Sequence, residues 1–532
     1  MIKRSLLATA IAALSAQAVN AAPFMPMDAR GLAMGNTGVA SAKRAHAPAY
    51  NPSLLSQASE DDDFALLLPL GVSFADEEEM IDTAQDVADD IVPALEDLFE
   101  DNNATNFTGL LDATESAANA LESALQTPAN QAAIATANTN FGTALNNLNE
   151  KLNEVNSVTS ELDSALNSIS GNPLSARLGL STALAIPSKK FAAALSLSGT
   201  VTGSGRVLFS GNDSNLLNAY GDAAGDYISS AQQLQSGVSD ALDETDLVAQ
   251  ATAFNNLESA ANALQNFNSD QVTTASGDIR IIENGAVSPD AEDADMDSQL
   301  EIVAVGVVDL GLSFSREFNI GGEAIAIGIT PKLQKIITYH YADEVDGFDD
   351  VDADDLEDYK EEYSNFNLDI GASWRFGDNK NWMLGLVAKN LVSDEFEYAD
   401  VIVTPTDTNG NITGAPYIIK GGKVSLDPQY RAGVAYNGSW VSAAIDVDLV
   451  ENDPVAYESA TQFASFGAEF DIFETLQLRA GYRTNMSSSG SDIASLGIGF
   501  SPFGVHIDIA AMANIDDPES EAGAALEIGF YF

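Results

Sequence analysis

Cysteine is absent from all 532 residues. No disulfide framework, thiolate metal site or thiol redox chemistry can operate in such a chain, and a thioredoxin-like role is excluded. Histidine is almost missing as well, with His46, His340 and His506 the only three. No His-x-x-x-His or Gly-x-Ser-x-Gly motif occurs, so the chain reads as a non-enzyme. Basic residues are scarce: 23 against 79 acids give a formal charge of −56. A surface of that sign disfavours direct binding of nucleic acid. Not one Lys or Arg falls between Ala45 and Glu150, whereas 60–101 holds 16 acids. Blocks of like charge are ordinarily solvated exteriors. A run of ~20 apolar residues, the length a membrane helix needs, is also lacking.

Strict alternation is present instead. Ala524, Leu526, Ile528, Phe530 and Phe532 interleave with Ala525, Glu527, Gly529 and Tyr531. Phe366, Leu368, Ile370, Ala372 and Trp374 interleave with Asn367, Asp369, Gly371 and Ser373. Such strands place one apolar row against lipid and one polar row in a lumen, and only a closed barrel satisfies every backbone group in a bilayer. Runs of this kind lie near 62–74, 174–186, 190–210, 299–316, 322–341, 363–376, 381–396, 424–436, 439–451, 459–473, 475–486, 492–502, 504–515 and 521–532. The predicted fold class is therefore an all-β transmembrane barrel of about 14 antiparallel strands.

Connections alternate between short (187–189, 319–322, 377–381, 437–438, 474 and 502–504) and generally longer (75–173, 211–298, 342–362, 397–423, 452–458, 487–491 and 516–520). Short turns on the periplasmic side would leave both termini in the periplasm of a Gram-negative bacterium, with outer-membrane lipid around the wall. Export is predicted by Lys3, Arg4, the apolar stretch Leu6 to Leu14 and the small-residue site Val19-Asn20-Ala21, which read as a signal peptide over 1–21. A periplasmic or lumenal segment over 22–60 and a barrel over 61–532 follow.

Local departures from the pattern suggest sites. In strand four the apolar row passes from Val303, Val305 and Val307 to Val308, Leu310 and Leu312, which predicts a bulge near Val307 and Val308. Gly199, Gly203 and Gly205 interrupt strand three, as residues at a bend do. Arg177, Arg431, Arg479 and Arg483 should meet Asp369, Asp446, Asp448, Glu469 and Asp471 in the lumen, as ion pairs or as a polar pathway. Asp350, Asp352, Asp354 and Glu361 occupy positions 1, 3, 5 and 12 of a calcium-loop register, but Asp355 replaces the glycine of the sharp turn, so loose Ca2+ binding by an acidic loop is the metal expectation and no cofactor is indicated.

The two long insertions change period. Phe141, Leu145, Leu148, Leu152, Val155, Leu162, Leu166 and Ile169 keep spacings of three and four, interrupted only at Thr159, and the Ala-rich segments 76–126 and 214–268 read as partner helices. A helical cap is expected over 75–173 and 211–298, serving as a lid, as a docking surface, or as helices that bury one another.

The segment after the signal has the most specific text: Gly31-Leu32-Ala33-Met34-Gly35-Asn36-Thr37-Gly38, then Tyr50-Asn51-Pro52-Ser53-Leu54-Leu55. It resembles the FadL-type (OmpP1/FadL/TodX) outer-membrane superfamily and, more closely, its branch of conjugal transfer proteins of TraF type. Ser53 stands where that superfamily has alanine. The resemblance implies a hatch inside a fourteen-stranded barrel, hydrophobic cargo, and a wall defect for sideways exit, here beside Thr202 to Arg206 at Gly199, Gly203 and Gly205. Gly31, Gly35, Gly38, Asn51, Pro52 and Ser53 would be the hatch motif. Two functions follow: transport of hydrophobic small molecules, or a non-transporting scaffold for conjugation or secretion whose cap binds a surface protein partner.

Overall fold

The structure is a computed structural model that describes residues 24–57, 64–76, 78–99, 104–127, 130–274, 277–292, 294, 296–344, 359–404, 412, 415–473, 475–488, 491–502 and 504–531. The expected signal peptide, Phe532, and Asp350, Asp352 and Asp354 lie outside them.

Fourteen antiparallel strands close into a barrel: β1 (Ala65–Ala75), β2 (Pro173–Ile186), β3 (Ala192–Leu208), β4 (Gln299–Ile320), β5 (Glu323–Glu344), β6 (Lys360–Phe376), β7 (Trp382–Lys389), β8 (Gln429–Asn437), β9 (Val441–Asp448), β10 (Phe463–Ile472), β11 (Leu476–Asn485), β12 (Asp492–Phe500), β13 (Val505–Asn514) and β14 (Glu521–Tyr531). β1 pairs with β14, leaving no edge. Alternation sorts the faces as expected: Leu526 and Ile528 are exposed, whereas Ala525 and Glu527 are buried. No helix among the described residues is long and apolar enough to cross a membrane.

The bulge expected at Val307 and Val308 does not exist. β4 pairs with β3 in one register from Gln299↔Leu208 to Ser315↔Ala192, with Val307 opposite Thr200 and Val308 opposite Gly199. The apolar row changes face because Val303 and Val305 point inward against an apolar partner formed by Phe396, Tyr398, Val424, Leu426 and Val455. That partner belongs to the connections after β7 and β9, which enter the lumen. Asp394–Glu397 pairs there with Lys423–Leu426. His340 ties this insert to the wall, its ring nitrogens 2.8 Å from the Ala399 carbonyl and 3.0 Å from Glu301. β7 accordingly ends at Lys389, well before 396, because Asn390 adopts φ 53°, a left-handed conformation that turns the chain out of the sheet.

Short helices α1 (Ala29–Ala33) and α2 (Ala47–Tyr50) belong to the N-terminal segment, which folds inside the barrel. The cap contains α3 (Phe107–Leu125), α4 (Gln131–Ile169), α5 (Gly211–Asp243) and α6 (Leu247–Gln265). Side chains of Asn106, Asn130 and Asp246 cap the first turns of α3, α4 and α6, replacing missing intrahelical partners. α4 runs unbroken through Thr159, and Phe141, Leu145, Leu148 and Leu152 pack with Leu121 of α3, Leu234 and Val238 of α5 and Phe254 of α6. The stripe read from the sequence is thus consumed within the cap, since an amphipathic helix gains its stability by burying that face.

Candidate functional site

The hatch is built around Tyr50. Asp28 caps α1, its Oδ1 accepting from the Gly31 N–H at 2.7 Å, while its Oδ2 accepts from the Tyr50 hydroxyl at 2.6 Å. A Cβ on Gly31 would lie 1.6 Å from the Tyr50 oxygen and one on Gly38 2.1 Å from its ring. Both glycines are therefore required by a side chain twelve or more residues away. Gly35 adopts φ +65°. Asn51 Oδ1 accepts from the Ser53 N–H and hydroxyl at 3.1 and 2.7 Å, and its amide donates to the Val39 carbonyl at 2.9 Å. The Ser53 hydroxyl also meets Ser373 of β6 at 2.9 Å. Pro52 opens the 3-10 turn Pro52–Gln57. Gly31 and Gly38 thus lie under Tyr50, and Asn51, Pro52 and Ser53 meet β5 and β6, whereas Gly35 sits apart, against the Phe466 and Tyr482 carbonyls of β10 and β11.

The wall side of these contacts was not read from the sequence. Four cross-strand pairs of inward-facing glycines, Gly71↔Gly179, Gly328↔Gly371, Gly385↔Gly433 and Gly467↔Gly481, ring the lumen. Hatch backbone lies directly on them: a Cβ would sit 2.6 Å from the Met27 oxygen at Gly71, 2.4 Å from the Ser53 nitrogen at Gly328 and 2.2 Å from the Val39 oxygen at Gly385. The available signal was glycine recurring at lumen parity on successive strands.

Ion pairs hold what the glycines admit. Glu469 receives Arg30 at 3.0 Å, Lys43 at 2.9 Å and Arg479 at 2.8 Å, and Arg479 continues to Asp508. Asp446 accepts the N–H groups of Gly38 and Val39 at 2.7 and 2.9 Å. Arg431 pairs with Asp448, Arg483 with Glu521, Arg177 with Glu458 at 3.7 Å, and Lys332 lies 3.2 Å from Asp369. The predicted lumenal charges thus hold partners, with Asp471 half-buried. Sequence spacing missed His46, whose Nε2 lies 2.9 Å from Glu527. Burial opposes a charge on His46, but Glu527 and Asp28 outweigh it and raise its pKa to about 9.

Between hatch, inward loop and wall lies a cavity of ≈ 190 Å³. Phe24, Met27, Leu67, Ala183 and Leu426 give it apolar surface. It exists because the inward residues of β2 and β3 there are small: Gly179, Ser181, Ala183, Ser196, Ser198 and Thr200. At one end the Lys389 ammonium donates to the Ala49 carbonyl at 2.9 Å and lies 4.6 Å from the Phe24 ring centre. Gly199 borders the cavity; Gly203 and Gly205 continue along the same strand. Strand ladders run unbroken past all three, with Gly199 opposite Leu180 on one side and Val308 on the other. Glu361, the described member of the acidic-loop set, is paired with Thr338 in the β5–β6 ladder.

The family described as "F plasmid transfer operon, TraF, protein" matches residues 48–153 and 141–448. No curated protein matches the chain. Among solved structures, the Ralstonia pickettii toluene transporter TbuX is 8% identical, covering 96% of this chain and 99% of that one, with a TM-score of 0.42. The P. putida toluene transporter TodX is 10% identical, with coverages of 96% and 99% and a TM-score of 0.41. A Pseudomonas aeruginosa FadL homologue is 8% identical, with coverages of 97% and 99% and a TM-score of 0.42.

Proposed function

We propose that this chain, which belongs to the TraF family of the F plasmid transfer operon, is an outer-membrane barrel that passes small hydrophobic compounds through its hatched lumen. The observation behind this reading is the cavity of ≈ 190 Å³ between Phe24, Met27 and Leu67. A dry apolar cavity of about 150 Å³ is enough to hold benzene, so the size suits a single-ring or short-chain compound, although Asp309, Lys332, Asp369 and Lys389 give this cavity a polar side as well. The hatch fills the half of the lumen near the short turns, and the loop after β7 fills the opposite half against Val303 and Val305. With the short turns periplasmic, as porin-like barrels have them, cargo enters past the inward loop and leaves sideways by parting the β2–β3 ladder, closed in this structure, beside Gly199, where the lumen-facing residues are smallest.

Ser198→Trp should fill the cavity and lower uptake of a small aromatic probe roughly tenfold, equivalent to ~1.4 kcal/mol in barrier. Uptake that stays at the wild-type rate with a folded barrel contradicts the cavity as the route. The exit is tested separately. Because the chain has no cysteine, a Leu180→Cys, Gly199→Cys double variant carries only the cross-strand pair, at residues directly opposite. Oxidation is expected to stop uptake and a reductant to restore it; uptake indifferent to oxidation places the exit elsewhere. The scaffold alternative has weaker support, because Phe141, Leu145, Leu148 and Leu152 of the α4 stripe are already buried by α3, α5 and α6.

A further inference from the structure

We infer that Asp28, His46 and Glu527 form a site for one divalent ion of the zinc class, joining the hatch to strand β14. Their ligand atoms lie within 4.8 Å of one another and all three side chains are buried. Glu527 is 0% exposed, and both its oxygens turn toward a single atom, His46 Nε2, at 2.9 and 3.1 Å. No other hydrogen-bond donor to Glu527 occurs among the described residues. An ionised carboxylate offers about four acceptor positions, and one N–H leaves most of them unanswered on a fully buried side chain. A carboxylate presenting both oxygens to one point has the bite that a chelated cation takes.

The surroundings match the support that metal ligands need. His46 Nδ1 lies 3.2 Å from the Lys43 carbonyl, the contact that fixes ring orientation and leaves Nε2 for an ion. Asp28 Oδ1 is 3.5 Å from Nε2, and its carboxylate is held by the Gly31 N–H and the Tyr50 hydroxyl. An ion about 2.0–2.2 Å from one nitrogen and two carboxylates would complete this arrangement. Arg30 and Lys43 are committed to Glu469, so neither competes with an ion for the two carboxylates. Imidazole with carboxylate favours zinc and its neighbours over calcium or magnesium, which seek oxygen alone. Asp28 and His46 also border the cavity, the side from which an ion would arrive.

The test uses the full chain purified from outer membranes, stripped with chelator and titrated calorimetrically with zinc chloride in excess calcium, which occupies surface carboxylates. One ion per chain is expected, with His46→Gln and Glu527→Gln each weakening binding by at least ~100-fold while heat-modifiable gel mobility reports a closed barrel. Absence of saturable wild-type binding, or binding by both variants as tight as the wild type's, overturns the assignment. Should the variants fail to fold, cobalt(II) loaded into the wild-type chain decides alone: X-ray absorption with one imidazole and carboxylate oxygens supports the site, and an all-oxygen shell removes it.

Discussion

Replacing Gly385 by valine is expected to expel the hatch while leaving the barrel closed. A Cβ there would stand 2.2 Å from the Val39 carbonyl oxygen and 2.8 Å from its carbon. Neither side can yield locally. Gly385 is fixed in two ladders, opposite Ser373 and Gly433, and the Val39 N–H is held by Asp446. Inserting even single methylenes into a packed interior costs about 1–3 kcal/mol, and a branched side chain driven into backbone exceeds that. Relief comes from moving the hatch, whose attachment is noncovalent along 24–57. Hydrogen exchange should then show amides of 24–57 unprotected and barrel amides as slow as in the wild type. Gly203→Val is the control, since its added carbon faces outward at an ordinary 3.4 Å from the Ala304 Cβ. A hatch that keeps its protection in Gly385→Val contradicts the packing account.

Glu469→Gln should be the most damaging charge change in the lumen. Three cations converge on this carboxylate, and the Arg30 and Arg479 side chains are 6% and 3% exposed. Breaking a buried pair leaves an uncompensated charge, at a cost of roughly 3–5 kcal/mol. The loss falls mainly on Arg30, because Asp508 still holds Arg479 and the half-exposed Lys43 can turn to water. Combining Glu469→Gln with Arg30→Gln should therefore cost less than the sum of the single changes, and a double-mutant cycle on urea unfolding measures that coupling. A Glu469→Gln loss below about 1 kcal/mol, the scale of an exposed pair, would sink the idea of Glu469 as the anchor.

Much of the barrel was legible because membrane solvation imposes a local rule. Leu526 and Ile528 face lipid and Glu527 faces inward for reasons visible within a few residues, and the number of strands follows. The heptad stripe of α4 was equally local. The rule failed where its premise failed: Val303 and Val305 are apolar yet inward, because a loop about ninety residues later enters the lumen and covers them. Apolar character alone cannot distinguish lipid from such a partner. The hatch motif could be recognised as text, but the reason for Gly31 and Gly38 lies in the Tyr50 ring. His46 and Glu527 meet across 481 positions, a separation that no spacing argument reaches. The inward glycines had the right parity, but what they admit became visible only with the hatch in place.

The most direct measurement is native mass spectrometry of the chain released from outer membranes in mild detergent, with extraction and identification of bound compounds. One small hydrophobic compound per barrel is predicted for the wild type and none for Ser198→Trp. An empty wild-type barrel that retains another protein instead would contradict transport and favour a scaffold.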